Sequence, residues 1–255
     1  MMILIENIYQ AWKQGKVFTA IYLDVAEAFN NVHHKLLIHN LRARHIPECI
    51  TKWLESFLKD RSTRLRFIGG TSEAIPTPAD IPQGSPLSPL LYMYYNAGLL
   101  EISEGKDNTI GLGFLDDIVY GVDGATDKGN AWRIREILQQ AEEWRRKHGV
   151  QFETSKYALV HYTRNYNRTT GAKVTINGIQ IHATNEAKYL GVIFDKQLRF
   201  TSHMARIIKK DTTAALALSG ITKCTRRALF QYVHQLFQVV IASKVNYRAI
   251  IWDRL

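Results

Sequence analysis

Two adjacent aspartates, Asp116 and Asp117, lie inside an apolar segment with the sequence GFLDDIVYG. Successive residues of a strand point to opposite faces, so a regular strand would direct one of these charges into the core. A sharp turn avoids that cost because both carboxylates then project from its tip. A third carboxylate, Asp24, ends the apolar segment VFTAIYLDV (17–25) and raises the same question. A buried carboxylate must be paired, protonated or bound to a metal.

Three carboxylates at the ends of two strands would form an oxygen-rich site that suits Mg²⁺. Two such ions, roughly 3.5–4 Å apart, would bracket the attacking and leaving oxygens of a phosphoryl transfer. The alternative is that these aspartates belong to an ordinary hairpin turn or a cap. Such turns favour Asp-Gly or Asn-Gly, however, and no glycine follows the pair before Gly121. Spacing alone leaves both interpretations open.

The strands that would carry these carboxylates are predicted from their side chains. Residues 17–25 are rich in β-branched and aromatic residues, which predicts a strand buried on both faces. Residues 110–124 predict a strand, a tight turn and a second strand. Further short strands are expected over 157–163, 173–178 and 188–195, and a hairpin with a Gly69-Gly70 turn over 64–78.

Helical spacing of apolar residues accounts for most of the rest of the chain. It predicts helices over 4–14, over 34–58 with a break near Pro47, over 87–103, over 130–148, and from about residue 202 onward. For the helix over 130–148, Asn130 is the expected N-cap and Gly149 the expected stop. The sequence therefore predicts an α+β fold followed by a basic helical region.

Positive charge is concentrated in the second part of the chain. Residues 1–149 contain 17 Lys or Arg against 18 Asp or Glu, whereas residues 150–255 contain 16 against 5. A polyanionic partner along the second part is one explanation, and solubility is the other. No apolar segment is long enough to span a bilayer, and the first residues lack the features of a signal peptide. Cys49 and Cys224 offer neither a disulfide framework nor zinc-ligand spacing, which favours a reducing compartment.

Five short motifs follow one another along the chain. They are LDVAEAFNNV (23–32), IPQGSPLSPLL (81–91), GFLDDIVYG (113–121), GVQFETSKYALVHYT (149–163) and KYLGVIFD (188–195). Together they resemble the reverse transcriptases of LINE-type, non-long-terminal-repeat retrotransposons, and most of all those of fungal elements. The resemblance implies a polymerase palm, with a four-stranded antiparallel sheet packed on helices, followed by a helical thumb. It also implies an RNA-directed DNA polymerase that uses two magnesium ions.

Carried over motif by motif, the resemblance implies roles for the charged residues of the site. Asp24 matches the first metal-binding aspartate, while Asp116 and Asp117 match the aspartate pair of the hairpin, of which Asp116 is the more direct ligand. The carbonyl of Val25 would complete the coordination. Lys156 matches the lysine near the triphosphate, where it would neutralise or protonate the leaving pyrophosphate. By itself, Lys156 would be interpreted as a solvated lysine in a polar turn.

Three further residues match positions that contact the incoming nucleotide. Phe29 matches the aromatic residue beneath the sugar, where its ring would exclude a 2′-OH and so favour deoxynucleotides. Without the resemblance, Phe29 would be interpreted as a core aromatic on a helix. Gln83 and Gly84 match the loop that packs against the nucleotide and the template base, for which a plain helix-entry loop is the alternative.

Two groups of residues are expected to contact nucleic acid. Tyr189, Leu190 and Gly191 match the hairpin that grips the primer end; the alternative is an ordinary apolar strand. Basic residues of the expected thumb would line a nucleic-acid groove, although a solvated helical face explains them almost as well: Lys209, Lys210, Lys223, Arg226 and Arg227.

The sequence also departs from the family pattern. Leu115 replaces a smaller Ala or Val before the aspartate pair, where it is expected to crowd the primer end, and Asn30 replaces an Asp that is not a metal ligand. Residues 1–16 are interpreted as a remnant of the fingers or a connecting helix, 17–200 as the palm and 201–255 as a thumb-like region. The basic residues of the fingers that clamp the triphosphate are therefore expected to be missing.

The resemblance implies three kinds of partner: an RNA template, a DNA primer and deoxynucleoside triphosphates. Because such elements copy into chromosomal DNA, it also implies nuclear access. One alternative function is a decayed or repurposed fragment that binds nucleic acid without catalysis. Another is an intron-encoded maturase, which normally carries a long basic extension that this sequence does not show.

Overall fold

The computed structural model describes residues 1–77, 79–165, 169–224, 230–243, 246–247 and 249–252, and their side chains except at 221–224, 230, 231, 250 and 252. The helices are α1 (Met2–Lys13), α2 (His34–Ala43), α3 (Glu48–Leu58), α4 (Leu87–Leu100), α5 (Asp127–His148), α6 (Thr201–Cys224), α7 (Phe230–Phe237) and α8 (Ala249–Trp252). The strands are β1 (Val17–Ala26), β2 (Ser62–Thr63), β3 (Arg66–Phe67), β4 (Gly70–Thr71), β5 (Ile75–Pro76), β6 (Thr109–Phe114), β7 (Asp117–Gly124), β8 (Gln151–Phe152), β9 (Ala158–Tyr162), β10 (Val174–Ile176), β11 (Ile179–Ile181), β12 (Glu186–Tyr189) and β13 (Val192–Asp195). Short 3-10 turns cover Glu101–Ser103 and Thr154–Lys156, and a π-helical turn covers Gln238–Ala242.

An antiparallel sheet with β1 at its centre forms the middle of the fold. Its order is β6-β7-β1, and the other edge of β1 pairs with both β8 and β9. The sheet has five strands where the resemblance implied four, because β9 pairs with residues 18–22 of β1 and β8 pairs with residues 25–26. The fourth position of the sheet is thus shared by two short strands. The prediction of an α+β fold with an antiparallel sheet is confirmed.

Helices α2, α3, α4 and α5 cover one face of the sheet. They form a core with alternate residues of β1, such as Ile21 and Leu23, and with Tyr120 of β7. The hydroxyl of Tyr120 donates a hydrogen bond to the Leu99 carbonyl at 2.5 Å, which joins α4 to the sheet. This packing holds α4 beneath the end of the sheet that carries the carboxylates.

Helix α1 and the hairpin β12–β13 cover the other face. Leu4 and Ile8 of α1 pack in a second core with Phe18 and Tyr22 of β1 and with Phe194 of β13. Helix α1 therefore shares a core with the strands of the expected palm. The assignment of residues 1–16 to a fingers remnant, and the boundaries at 17 and 201, stay predictions.

Two local predictions are wrong. The N-cap of α5 is Thr126, whose side chain accepts a hydrogen bond from the main-chain N–H of Gly129. Asn130 instead lies inside the helix, where its side-chain amide donates a hydrogen bond to the Val17 carbonyl. In the hairpin β3–β4, the turn is formed by Ile68 and Gly69, and Gly70 belongs to β4, where its lack of a side chain leaves room for the ring of Phe67.

The basic C-terminal region is helical, as predicted, over 201–224, 230–243 and 249–252, and residues 246–247 form a turn. Arg226 and Arg227 lie outside the described residues, and so does the side chain of Lys223. Within the described part of the chain, no helix combines the length and apolar character needed to cross a bilayer.

Candidate active site

Strands β1 and β7 place two of the three carboxylates opposite each other. In their antiparallel register Asp24 is the partner of Asp117, and paired residues project to the same face with Cβ atoms about 4.5–5.5 Å apart. Seven fully buried residues precede Asp24 in β1, so Asp24 is the first residue of this strand to reach the surface. Asp117 begins β7, and both carboxylates therefore lie at one end of the sheet.

The third carboxylate, Asp116, lies on the two-residue turn between β6 and β7. Leu115 and Asp116 form this turn, which is closed by the pairing of Phe114 with Asp117. The main-chain N–H of Val25 donates a hydrogen bond to the Asp116 carbonyl at 3.0 Å. The turn is thereby fixed to the end of β1, and all three carboxylates share one edge.

A lysine contacts this acidic edge. Lys156 Nζ lies 2.7 Å from Asp24 Oδ2, and this ion pair raises the pKa of Lys156. Burial raises the pKa of Asp117, and the charges of Asp116 and Asp24 raise it further, against a smaller opposing effect of the nearby lysines. Negative charge is therefore crowded at this edge, and lysine offsets it only in part.

The carboxylates provide the donor set that a hard divalent cation prefers, and the raised pKa of Asp117 indicates a charge density that a cation would relieve. Among the described residues, however, no group of three acidic, histidine or cysteine side chains is arranged to hold a metal ion. The ammonium group of Lys156 contacts Asp24 Oδ2, so an ion bound to this oxygen would compete with Lys156.

An open cleft of about 370 Å³ connects the acidic edge with the turn of hairpin β12–β13. Its lining includes Asp24, Asp117, Lys156, Lys188, Tyr189, Leu190 and Gly191. Leu190 and Gly191 form the turn, with φ angles of +48° and +87°, and two positive φ angles match the twist of a tight hairpin. Tyr189 is buried, with its ring 5.8 Å from that of Tyr22, while the Tyr247 hydroxyl donates to the Leu190 carbonyl at 3.1 Å.

Phe29 lies on the turn that follows β1, not on a helix. Its ring centre is 5.6 Å from that of Tyr92, a fully buried residue of α4. Burial raises the pKa of Tyr92, and the charges of Asp116 and Asp24 contribute to the same shift. Tyr92 therefore contacts Phe29 and lies close to the carboxylates.

Gln83 and Gly84 lie on the exposed loop before α4. Gln83 Nε2 donates to Asn30 Oδ1 at 3.3 Å, and the Ile81 N–H donates to the Phe29 carbonyl at 3.0 Å, so this loop is attached to the turn that carries Phe29. Gly84 has a φ of +91°, and no atom lies within 4 Å of the position that a Cβ would occupy. Its backbone is thus open to a ligand.

Comparison with known proteins identifies the family to which this chain belongs. The model of the family described as "Reverse transcriptase (RNA-dependent DNA polymerase)" matches residues 2–194. The chain belongs to the reverse transcriptase family. Enzymes of this family generally use divalent metal ions.

Relatives place this reverse transcriptase among those of LINE-type elements, as the motifs predicted. It is 29% identical over 205 residues to the probable RNA-directed DNA polymerase from transposon X-element of Drosophila melanogaster, covering 80% of this chain and 22% of the relative. It is 25% identical over 244 residues to the RNA-directed DNA polymerase from mobile element jockey of Drosophila funebris, covering 93% and 26%. The chain thus spans about a quarter of the length of these relatives. The likeness to fungal elements stays a prediction.

A solved structure shares the reverse transcriptase fold. An apo telomerase from Candida tropicalis superposes with a TM-score of 0.53 at 12% identity, over 75% of this chain and 37% of that one. At this identity the similarity concerns the fold alone.

The lysines expected on the thumb of this reverse transcriptase lie on α6. Lys209 and Lys210 are exposed. Lys210 lines a second cavity, together with Lys188 and Gly191, beside the β12–β13 turn. Neither lysine lines the cleft that holds the carboxylates.

Three residues beside the carboxylates were not predicted from the sequence. Lys188 lines the cleft, Tyr92 contacts Phe29, and the Asn96 amide donates a hydrogen bond to the Leu115 carbonyl. Lys188 alternates with buried Ala187 and Tyr189 in β12, a pattern that directs it to the open face. Asn96 lies one helical turn after Tyr92 in the apolar stretch YMYYNAGLL, and a polar residue on the buried side of a helix is a signal that was available.

Proposed function

We propose that this chain is the polymerase core of a retrotransposon RNA-directed DNA polymerase. In this reaction the primer 3′-OH attacks the α-phosphate of a deoxynucleoside triphosphate, and pyrophosphate leaves. The observation that carries the proposal is the edge where Asp24 and Asp117 pair across β1 and β7, with Asp116 on the adjoining turn. Phosphoryl transfer requires little covalent chemistry from the protein, so positioning and charge stabilisation supply most of the catalysis.

Asp24, Asp116, Asp117 and the carbonyl of Val25 would hold two Mg²⁺ ions. When bound, such ions stabilise charge on the attacking and leaving oxygens. The contribution of the chain is to fix the ligands before substrate arrives. Strand pairing fixes Asp24 and Asp117, and the hydrogen bond from the Val25 N–H fixes the turn that carries Asp116.

Lys156 would neutralise or protonate the leaving pyrophosphate. Its side chain is 61% exposed, so it is free to move from Asp24 to a phosphate when Asp24 binds an ion. While Lys156 contacts Asp24, this ion pair raises the pKa of Lys156 and keeps its ammonium group protonated. The ion pair with Asp24 would hold Lys156 at the site between reaction cycles.

Phe29, Gln83 and Gly84 would contact the incoming nucleotide. The ring of Phe29 is supported by Tyr92 and would exclude a ribose 2′-OH. The open backbone of Gly84 allows close approach of a base or sugar, and the hydrogen bond between Gln83 and Asn30 connects this loop to Phe29.

RNA template and DNA primer would bind along the cleft and the basic second part of the chain. The β12–β13 turn, with Tyr189, Leu190 and Gly191, would hold the primer end beside the carboxylates. Basic residues of the C-terminal region would contact the backbone phosphates: Lys209, Lys210, Arg226 and Arg227. A telomerase of Candida tropicalis with the same fold has been solved with a fragment of telomeric RNA, which supports RNA as the partner. Synthesis at chromosomal DNA would require nuclear access.

Primer extension on a primed RNA template with Mg²⁺ and deoxynucleotides tests the proposal. The wild-type chain should extend the primer, and Asp116→Asn should reduce extension by roughly 10³-fold or more while keeping RNA affinity. Asp123→Asn is the matched control, because this aspartate lies at the other end of β7, where it pairs with Lys16.

Two results would contradict the proposal. Equal loss of extension and RNA affinity in Asp116→Asn would remove the catalytic role of this residue. Salt-sensitive RNA binding by the wild-type chain without any extension would select a fragment that binds nucleic acid and does not catalyse.

A further inference from the structure

The buried amide of Asn96 contacts the turn that carries the catalytic carboxylates. Asn96 lies on α4 with 2% of its surface exposed, and its Nδ2 donates a hydrogen bond to the Leu115 carbonyl at 2.9 Å. A buried amide is costly unless it is hydrogen-bonded. An apolar residue would fill this helix position without that cost, so the interaction with the turn is the feature that requires an asparagine.

The residue that receives this hydrogen bond has an unfavourable backbone conformation. Leu115 has a φ of +56°. In two-residue hairpin turns such a position is normally Gly, Asn or Asp, because a side chain with a Cβ crowds the backbone there. Leucine has no short polar side chain to stabilise the conformation locally, so contacts from outside the turn must hold it.

Two hydrogen bonds from different elements supply those contacts. The Val25 N–H of β1 binds the Asp116 carbonyl at 3.0 Å, and the Asn96 amide of α4 binds the preceding carbonyl. Together they fix the orientation of two consecutive peptide groups. Rotation of either peptide would move the side chain of Asp116 and the start of β7, where Asp117 lies.

We propose that Asn96 is a positioning residue for Asp116 and Asp117, which holds the strained turn in the conformation that presents both carboxylates. The inference rests on the proposed function for its catalytic consequence, but the conformation of the turn can be measured without any reaction. Loss of the Asn96 amide releases the Leu115 carbonyl, and Leu115 then relaxes towards negative φ.

Asn96→Leu is the variant that tests the proposal, because it keeps the branched shape and the number of heavy side-chain atoms and removes the donor. The amides of the turn, residues 114–118, should exchange hydrogen with solvent about tenfold faster, which corresponds to about 1.4 kcal/mol of local opening free energy. The Mg²⁺ concentration that gives half-maximal primer extension should rise by a similar factor.

Asn130→Leu is the matched control. Asn130 is equally buried and donates to the Val17 carbonyl at 2.8 Å, at the opposite end of β1. This variant should lower the melting temperature, as Asn96→Leu does, but leave exchange at residues 114–118 and the Mg²⁺ dependence unchanged. A purely structural role of Asn96 would give the same result as this control.

Leu115→Gly supplies a second test, since glycine adopts positive φ without strain. Added to Asn96→Leu, it should recover at least half of the lost turn protection and of the Mg²⁺ dependence. Wild-type exchange rates in Asn96→Leu, or no recovery in the double variant, would overturn the proposal. Absence of extension by the wild-type chain would instead reject the proposed function, and hydrogen exchange would still decide the role of Asn96.

Discussion

Polar groups lie at both ends of strand β1, and the two sets differ in burial and in how fully they are hydrogen-bonded. At the end near Val17, Asn130 donates to the Val17 carbonyl and to Thr19, and Thr19 contacts His161 Nδ1 at 2.9 Å. His161 Nε2 lies 2.9 Å from the Ala172 carbonyl, which can only accept. Nε2 therefore carries the proton, and neutral His161 accepts from the Thr19 hydroxyl through Nδ1. Every hydrogen bond in this network, from Asn130 through Thr19 and His161 to the Ala172 carbonyl, therefore joins one donor to one acceptor.

The other end of β1 is less well satisfied. Three carboxylates share one edge, and burial together with the charges of Asp116 and Asp24 raises the pKa of Asp117. The Tyr92 hydroxyl is buried beneath them, and within the described residues it has no hydrogen-bond partner. The first end stabilises the fold, whereas under the proposed function the second end would keep charge and polar groups available for ligands. Stability is commonly reduced where a site must bind and react.

The largest contrast is expected when one carboxylate at each end is changed to an amide. Burial opposes the charge of Asp127, but hydrogen bonds from Ala172 and Thr170 outweigh it and lower the pKa of Asp127. Asp127→Asn places an amide against those donors and should lower the free energy of unfolding by about 2 kcal/mol. Asp117→Asn removes a crowded charge and should raise it by about 0.5 kcal/mol, after allowance for solvent screening.

Urea unfolding at pH 7 without divalent ions measures both changes. Asp123→Asn, at a half-buried ion pair of β7, calibrates the effect of removing one carboxylate charge from this strand. Equal destabilisation by Asp127→Asn and Asp117→Asn would show that the two ends do not differ.

The second prediction concerns the aromatic pair of Phe29 and Tyr92 beside the carboxylates. Phe29→Val removes the ring that would exclude the 2′-OH, so incorporation of ribonucleotides relative to deoxynucleotides should rise roughly tenfold. Phe57→Val is the control, since Phe57 is an aromatic residue of α3 that stacks on Trp53. Steady-state incorporation of matched nucleotide pairs measures the ratio. An unchanged preference would remove the proposed role of Phe29.

The sequence was informative wherever a local pattern determines the structure. The run of β-branched and aromatic residues before Asp24 predicted a buried strand. The doublet Asp116-Asp117 predicted a turn, because unpaired charge cannot remain inside a sheet. Neither pattern predicts the register of β1 against β7, which pairs Asp24 with Asp117. This register results from packing on both faces of the sheet.

Contacts between distant residues could not be predicted in the same way. The ion pair of Lys156 with Asp24 joins residues 132 positions apart, and the sequence around Lys156 resembles any polar turn. Hairpin rules favour glycine at the first position of the β6–β7 turn, yet Leu115 occupies it, because Asn96 and Val25 hold the turn from outside. Asn130 has the side chain of a good cap, but its tertiary hydrogen bond to Val17 outweighs that local preference.

The third prediction concerns pH and the satisfied end of β1. Burial lowers the pKa of His161, so its unfolded form, with an ordinary pKa of about 6.5, binds a proton that the folded form rejects. This contribution to stability is therefore present above the unfolded pKa and is lost as the pH falls below it. His161→Gln should show a smaller decrease between pH 7.5 and 5.5, whereas His39→Gln, at an exposed position of α2, should keep the full decrease. Melting temperatures across this range measure the difference, and equal decreases in all three proteins would contradict the prediction.

The smallest effect is expected at Tyr92, and it tests the comparison most directly. A buried hydroxyl without a partner destabilises the folded state, so Tyr92→Phe should raise the free energy of unfolding by about 0.5 kcal/mol. Tyr95→Phe is the matched control on the same helix: Tyr95 is as buried, but its hydroxyl donates to the His148 carbonyl at 2.9 Å, so its removal should lower stability. Opposite signs in urea unfolding would show that polar groups near the carboxylates are left unsatisfied while those one turn away are not. A loss of stability in Tyr92→Phe equal to that in Tyr95→Phe would mean that the Tyr92 hydroxyl is hydrogen-bonded as well as that of Tyr95.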